Sequence, residues 1–179
     1  MNKVLIAYAT YSGNTKEAAE LLAHKLGSAG CPAELHRIGT VPVPDLSGFD
    51  ALVVGSFTWA EGSVPEEVKD FILDVGYKPP RVFVFGTGDT QFGGDGLFCR
   101  AAVKLARFYE STLPPLKIEQ SPRGGQETLV QEWAAEVAGA MRKAPVRRRV
   151  PQDQADRPQT GRHFCTGQPQ STGVPASKT

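Results

Sequence analysis

The chain has 179 residues, 40% of them hydrophobic and 22% charged, with a net charge of +1. That length suits one full hydrophobic core rather than two, and no apolar run approaches the roughly 20 residues of a membrane-spanning helix. The opening "MNKVLIAYAT" lacks the cleavage site and long apolar stretch of a secretory signal, so a cytoplasmic location is expected.

"KVLIAYA" (Lys3–Ala9) is almost continuously apolar, the pattern of a strand covered on both faces. "NTKEAAELLAHKLGSAG" then places Ala18, Leu21, Leu22, Lys25 and Leu26 at helical spacing, with Asn14 and Glu17 as a capping-box-like start and Gly27 or Gly30 as a stop. "AELHRI" alternates like a less buried strand, and "GTVPVPDLSGFD" stands where a helix is missing or short and irregular. Further along, "ALVVGSF" (Ala51–Phe57) is a second buried strand, "PEEVKDFILDV" a helix opened by Pro65 and two glutamates, and "RVFVFGT" (Arg81–Thr87) a third buried strand. "FCRAAVKLARFYES" reads as helix, "LKIEQ" as a short strand and "QETLVQEWAAEVAGAMRK" as a final amphipathic helix. Strands alternating with helices imply parallel pairing through right-handed crossovers, hence an α/β class fold, a three-layer α/β/α sandwich.

In such sheets ligands bind at the carboxyl ends of the strands. After the first strand, "TYSGNT" supplies hydroxyls from Thr10, Ser12 and Thr15, an amide from Asn14 and a flexible Gly13, ahead of a helix whose first N–H groups are free. It matches neither the triphosphate nor the dinucleotide loop pattern, which leaves a monophosphate or an ordinary helix cap. "GSFTWAEGSVPEE" offers Trp59 as a stacking platform, and "GTGDTQFGGDGLFC" contributes Asp89, Phe92 and the glycines Gly86, Gly88, Gly93, Gly94 and Gly96. Together these loops suit a flat ring carrying one phosphate.

"ATYSGNT", "GSFTW" and "GTGDTQF" at these spacings resemble the flavodoxins over residues 1–143. The resemblance implies a five-stranded parallel sheet of order 2-1-3-4-5 that binds one flavin mononucleotide (FMN) non-covalently and carries electrons at low potential. It also implies that Thr10, Ser12, Gly13, Asn14 and Thr15 hold the phosphate with help from Thr58. Trp59 would cover one face of the ring and Phe92 the other, with Thr87, Gly88 and Asp89 at the pyrimidine edge. Tyr11, Ser56, Phe57, Ala60, Glu61, Gly62 and Phe98 complete the expected set of cofactor-binding residues. The short "LKIEQ" region points to the short-chain type. Two departures stand out: Phe92 has no hydroxyl where tyrosine is usual, and Ala60 stands where many members have glycine, so a positive φ at Ala60 is expected to cost about 1 kcal/mol or more.

The implied function is an electron carrier between a flavodoxin reductase and acceptor proteins, with no substrate site of its own and no catalytic or metal-binding residues. Glu61, Glu66, Glu67 and Asp95 could orient a basic partner. A flavodoxin-like activator of a ribonucleotide reductase and an FMN-dependent quinone reductase using NAD(P)H are the alternatives; the full "FTWAEG" loop argues against the first, and the compact region after the third buried strand against the second. A receiver domain is excluded because "TYS" and "GSF" replace the acidic residues it needs. A monomer is expected.

Residues 1–143 carry 14 basic and 17 acidic side chains, whereas residues 144–179 carry 6 and 2. Rich in Pro, Gln, Gly, Ser and Thr, the second segment is expected to be a disordered basic tail, in which Arg147–Arg149 are solvated and nucleic-acid binding is not expected. Cys31, Cys99 and Cys165 are odd in number and far apart, which predicts reduced thiols rather than disulfides or a zinc site. His24, His36 and His163 are equally scattered and read as ordinary imidazoles rather than metal ligands.

Overall fold

The computed structural model describes residues 2–91 and 94–143. The basic segment 144–179 therefore lies outside the described residues, as does Phe92. The strands are β1 (Val4–Tyr8), β2 (Ala33–Arg37), β3 (Ala51–Phe57), β4 (Val82–Gly88) and β5 (Leu116–Glu119). They form one sheet in the order β2-β1-β3-β4-β5, every neighbouring pair parallel. The long helices are α1 (Asn14–Ser28), α2 (Glu66–Val75), α4 (Arg100–Tyr109) and α5 (Gly125–Arg142). A single turn, α3 (Gly94–Leu97), lies in what the sequence reads as a glycine loop, and a 3-10 turn (Leu46–Gly48) fills the gap between β2 and β3.

The apolar runs are continuous because both faces of the sheet are covered. Val4, Ile6 and Tyr8 of β1 join a core with Leu22 and Leu26 of α1 and Trp133 and Val137 of α5. Leu5 and Ala7 join the opposite core with Phe71 of α2 and Leu105 of α4. Strand β2 is an edge, and His36 is its one buried side chain, which is why its pattern looks weaker than those of β1, β3 and β4.

Two local expectations change. Helix α1 starts on Gly13, held at φ 98° in the left-handed region, and no side chain caps it. Asn14 is already the first helical residue, so the capping box does not form; Glu17 instead accepts from the Ser121 hydroxyl and lies 3.9 Å from Arg123. The helix ends at Ser28, with Gly30 at φ 82° and the Cys31 amide returning to the Leu26 carbonyl. Gly55 and Gly86 serve packing rather than approach to a ligand: a Cβ on Gly86 would fall 2.6 Å from that of Ala102 on α4, and one on Gly55 would fall 2.2 Å from Phe85 Cζ.

Gly55→Ala therefore overpacks the centre of the sheet, and a loss of about 1–3 kcal/mol is expected, read as a lower urea midpoint at unchanged slope. A second outcome concerns pH. Burial lowers the pKa of His36 below its ordinary 6.5, and its Nε2 has no hydrogen-bond partner. Below about pH 6.5 the unfolded chain takes up a proton that folded His36 refuses, so stability is full above that pH and falls as pH drops toward the folded value. In denaturation curves collected between pH 5 and 7.5, His36→Leu should flatten this dependence.

Candidate functional site

All the strands point the same way, so β1, β3, β4 and β5 end on one rim, and the residues just past those ends enclose a cleft of about 530 Å³. Tyr11, Ser12 and Asn14 follow β1, and Thr58, Trp59, Ala60, Glu61 and Gly62 follow Phe57 at the end of β3. Thr87 and Gly88 end β4, Asp89 follows them, and Leu97 and Gln120 close the far side. The volume is that of a pocket for a small organic cofactor.

One end of the cleft is the uncapped start of α1. The Gly13 amide donates to Thr10 Oγ1 at 3.1 Å and turns the chain, leaving first-turn amides without intrahelical partners. Ser12 and Asn14 line the cleft beside them. Thr15, in contrast, is 1% exposed and its hydroxyl shares a hydrogen bond of 2.8 Å with the Thr87 hydroxyl, tying α1 to β4. Ser56 is equally buried and donates to the Phe57 carbonyl at 2.8 Å. Of the hydroxyls singled out from sequence, Ser12 and Thr58 therefore face the cleft, whereas Thr10, Thr15 and Ser56 brace its frame.

The other end is aromatic. Tyr11 meets Trp59 edge-on with centroids 5.5 Å apart, and Phe57 lies 5.8 Å from Trp59 and 6.2 Å from Tyr11. Tyr11 is 79% and Trp59 50% exposed, so apolar rings stand uncovered at the rim. Phe98 does not join them; it packs on the core shared by α2 and α4, with Lys117 above its ring.

The turn after Trp59 differs from expectation. Positive φ falls on Glu61 (57°) and Gly62 (75°), not on Ala60. Two successive positive values, with the Ser63 amide donating to the Ala60 carbonyl at 3.2 Å, describe a type I′ turn, and Trp59 bridges Ser63 in antiparallel fashion. The strain expected at Ala60 is thus carried by Glu61, one residue later, because the bridge places Glu61 and Gly62 at the centre of the turn.

Asp89 is fixed on both sides: the Gln91 amide donates to Oδ1 at 2.8 Å and Gln120 Nε2 to Oδ2 at 2.9 Å. Glu119 accepts from the Thr90 amide and hydroxyl at 2.7 and 3.1 Å. Leu97 and Gln120 are members of the cleft that the sequence reading missed. Gln120 was legible in principle, since it follows a fourth strand end on the same rim. Beneath this loop the Cys99 thiol donates to the Gly86 carbonyl at 3.3 Å, and burial pushes its pKa up to about 11, so it stays protonated and is no nucleophile. Among the described residues no cluster of His, Cys, Asp and Glu could hold a metal ion, and no helix is long and apolar enough to cross a membrane.

The model of the Flavodoxin family matches residues 6–133. The chain is 33% identical over 138 residues to probable flavodoxin 2 of Bacillus subtilis, covering 71% of this chain and 88% of that protein. To probable flavodoxin 1 of the same organism it is 29% identical over 138 residues, covering 71% and 84%. The crystal structure of oxidised flavodoxin 2 from Bacillus cereus is similar with a TM-score of 0.66 at 31% identity, over 77% of this chain and 99% of that one.

Because glycine adopts positive φ without strain, Glu61→Gly should raise stability by about 0.5–1 kcal/mol, net of its greater freedom in the unfolded chain. Thermal melting would register this as a higher midpoint; a lower midpoint would show that the glutamate side chain itself supports the turn.

Proposed function

Because the chain belongs to the flavodoxin family, whose members bind FMN and carry electrons, we propose that this protein holds one FMN in the cleft and shuttles electrons between a flavodoxin reductase and acceptor proteins. The observation that carries this reading is an uncapped helix start opening onto the same cleft as an exposed tryptophan. The residues present fit the cofactor: the α1 amides, Ser12 and Asn14 suit a phosphate, and the rings of Trp59 and Tyr11 suit a flat heterocycle.

In this reading Thr10 and Gly13 shape the phosphate loop, while the hydroxyl bond between Thr15 and Thr87 keeps it in register with β4. Backbone groups of Gly88 and Asp89 meet the polar edge of the ring, with Asp89 held still by Gln91 and Gln120. Phe92 remains the candidate for the second ring face. Bound flavin supplies reversible one- and two-electron redox chemistry. The protein's part is to bind it, orient it, exclude water from the ring and leave one edge open at the rim for a docked partner. The functional domain is taken as residues 1–143, with 144–179 as an appended tail.

Titrating the purified whole chain with FMN and with riboflavin, which lacks the phosphate, tests this. FMN should bind with quenched fluorescence and more tightly than riboflavin, on the order of 100-fold if two charge-assisted hydrogen bonds reach the phosphate. Ser12→Ala should weaken FMN by on the order of tenfold and leave riboflavin unchanged. Equal affinity for the two ligands would remove the phosphate role from the α1 loop.

A further inference from the structure

Helix α4 reaches across to Thr58 and the Trp59–Ser63 turn at three points. The Ala101 amide approaches Thr58 Oγ1 at 3.4 Å, a weak bond. The Arg100 stem packs so close to Gly62 that a Cβ there would fall 2.5 Å from Arg100 Cδ. One helical turn on, Lys104 Nζ donates to the Gly62 carbonyl at 2.7 Å, a charge-assisted bond. Inside the turn, the Trp59 and Ala60 carbonyls already accept from Gly62 and Ser63, and the Ser63 carbonyl accepts from Trp59. The carbonyl of Gly62 is left for an outside donor, and Lys104 supplies it.

The turn needs that hold. Glu61 occupies a left-handed conformation at φ 57°, and such a residue persists only where its surroundings over-determine it. The lysine also stands in an unusual place on its helix. Arg100, Lys104 and Arg107 are exposed like charges at spacings of four and three residues, which disfavours the helix, and none of them makes an ion pair among the described residues. The carbonyl bond gives Lys104 a partner that the helix does not.

We infer that Lys104 is a positioning residue of the cleft: it locks the Gly62 carbonyl, holds the strained Trp59–Ser63 turn in place, and sets a positive charge at that wall. The charge half of the inference rests on the flavin reading, because a cation beside the ring favours the reduced, more negative cofactor over the oxidised one. The clamp half rests on protein geometry alone.

Lys104→Gln and Lys104→Arg in the whole chain test both halves. Without added FMN, amide hydrogen exchange at Gly62 and Ser63 should speed up on the order of tenfold in Lys104→Gln, the loss of one charge-assisted bond, and should return toward the parent rate in Lys104→Arg. With FMN, Lys104→Gln should lower the ratio of reduced to oxidised affinity by on the order of tenfold, seen as a more negative midpoint potential, and Lys104→Arg should restore it. Unchanged exchange in Lys104→Gln overturns the clamp. Faster exchange with an unchanged potential overturns the electrostatic role. If the parent chain binds no FMN, the flavin reading and the charge half fail together, and exchange alone decides the clamp.

Discussion

Strands β1 and β3 lie side by side, yet the connections leaving them run to opposite faces of the sheet. Right-handed crossovers enforce this: β1 leads through α1 to β2 on one side, and β3 leads through α2 to β4 on the other. Between two chains that diverge in this way a crevice opens, and no rearrangement of side chains could close it. The start of α1 and the turn after β3 face each other across that gap, so a free helix terminus and an exposed tryptophan meet in one cleft.

Close packing turns the crevice into a shaped site. Helix α4 sits low on the sheet because Gly86 leaves room for Ala102, and Gly88 leaves room for Cys99 and Phe98. The low seat brings Arg100 and Lys104 within reach of Gly62. A bulkier residue in β4 would lift the helix and release the turn, which links core packing to the wall of the cleft. The same seat buries Cys99 and raises its pKa, so this thiol beneath the cleft is chemically quiet.

Charge is divided between helices α2 and α4. Helix α2 carries Glu66, Glu67, Asp70 and Asp74, while α4 carries Arg100, Lys104 and Arg107. Acidic residues in the first turn of α2 complement the helix dipole, so part of that charge is accounted for locally. Arg107 in the last turn of α4 likewise complements its helix dipole, whereas Arg100 and Lys104 have no such local reason and instead meet Gly62 at the edge of the cleft.

The order of strands and helices was legible in the sequence because it rests on local periodicity. "KVLIAYA", "ALVVGSF" and "RVFVFGT" are apolar at every position since both their faces are covered, and the loops that follow them stood out by their Gly, hydroxyl and Trp content. That was sufficient for the α/β class and for most of the residues lining the cleft. Direction and partnership were not legible. Thr10, Ser12 and Thr15 look alike in a string of letters, yet Thr15 turns inward to Thr87, Thr10 holds the Gly13 amide and Ser12 alone lines the cleft. Positive φ settled on Glu61 rather than Ala60 because an antiparallel bridge between Trp59 and Ser63 fixes which residues lie at the turn's centre. Lys104 meets Gly62 from 42 residues away, a contact that depends on where α4 sits on the sheet. Sequence thus determined the elements and the chemistry of their loops. Only tertiary packing decided which of those groups face the cleft, because orientation in a loop is set by distant neighbours that no local pattern records.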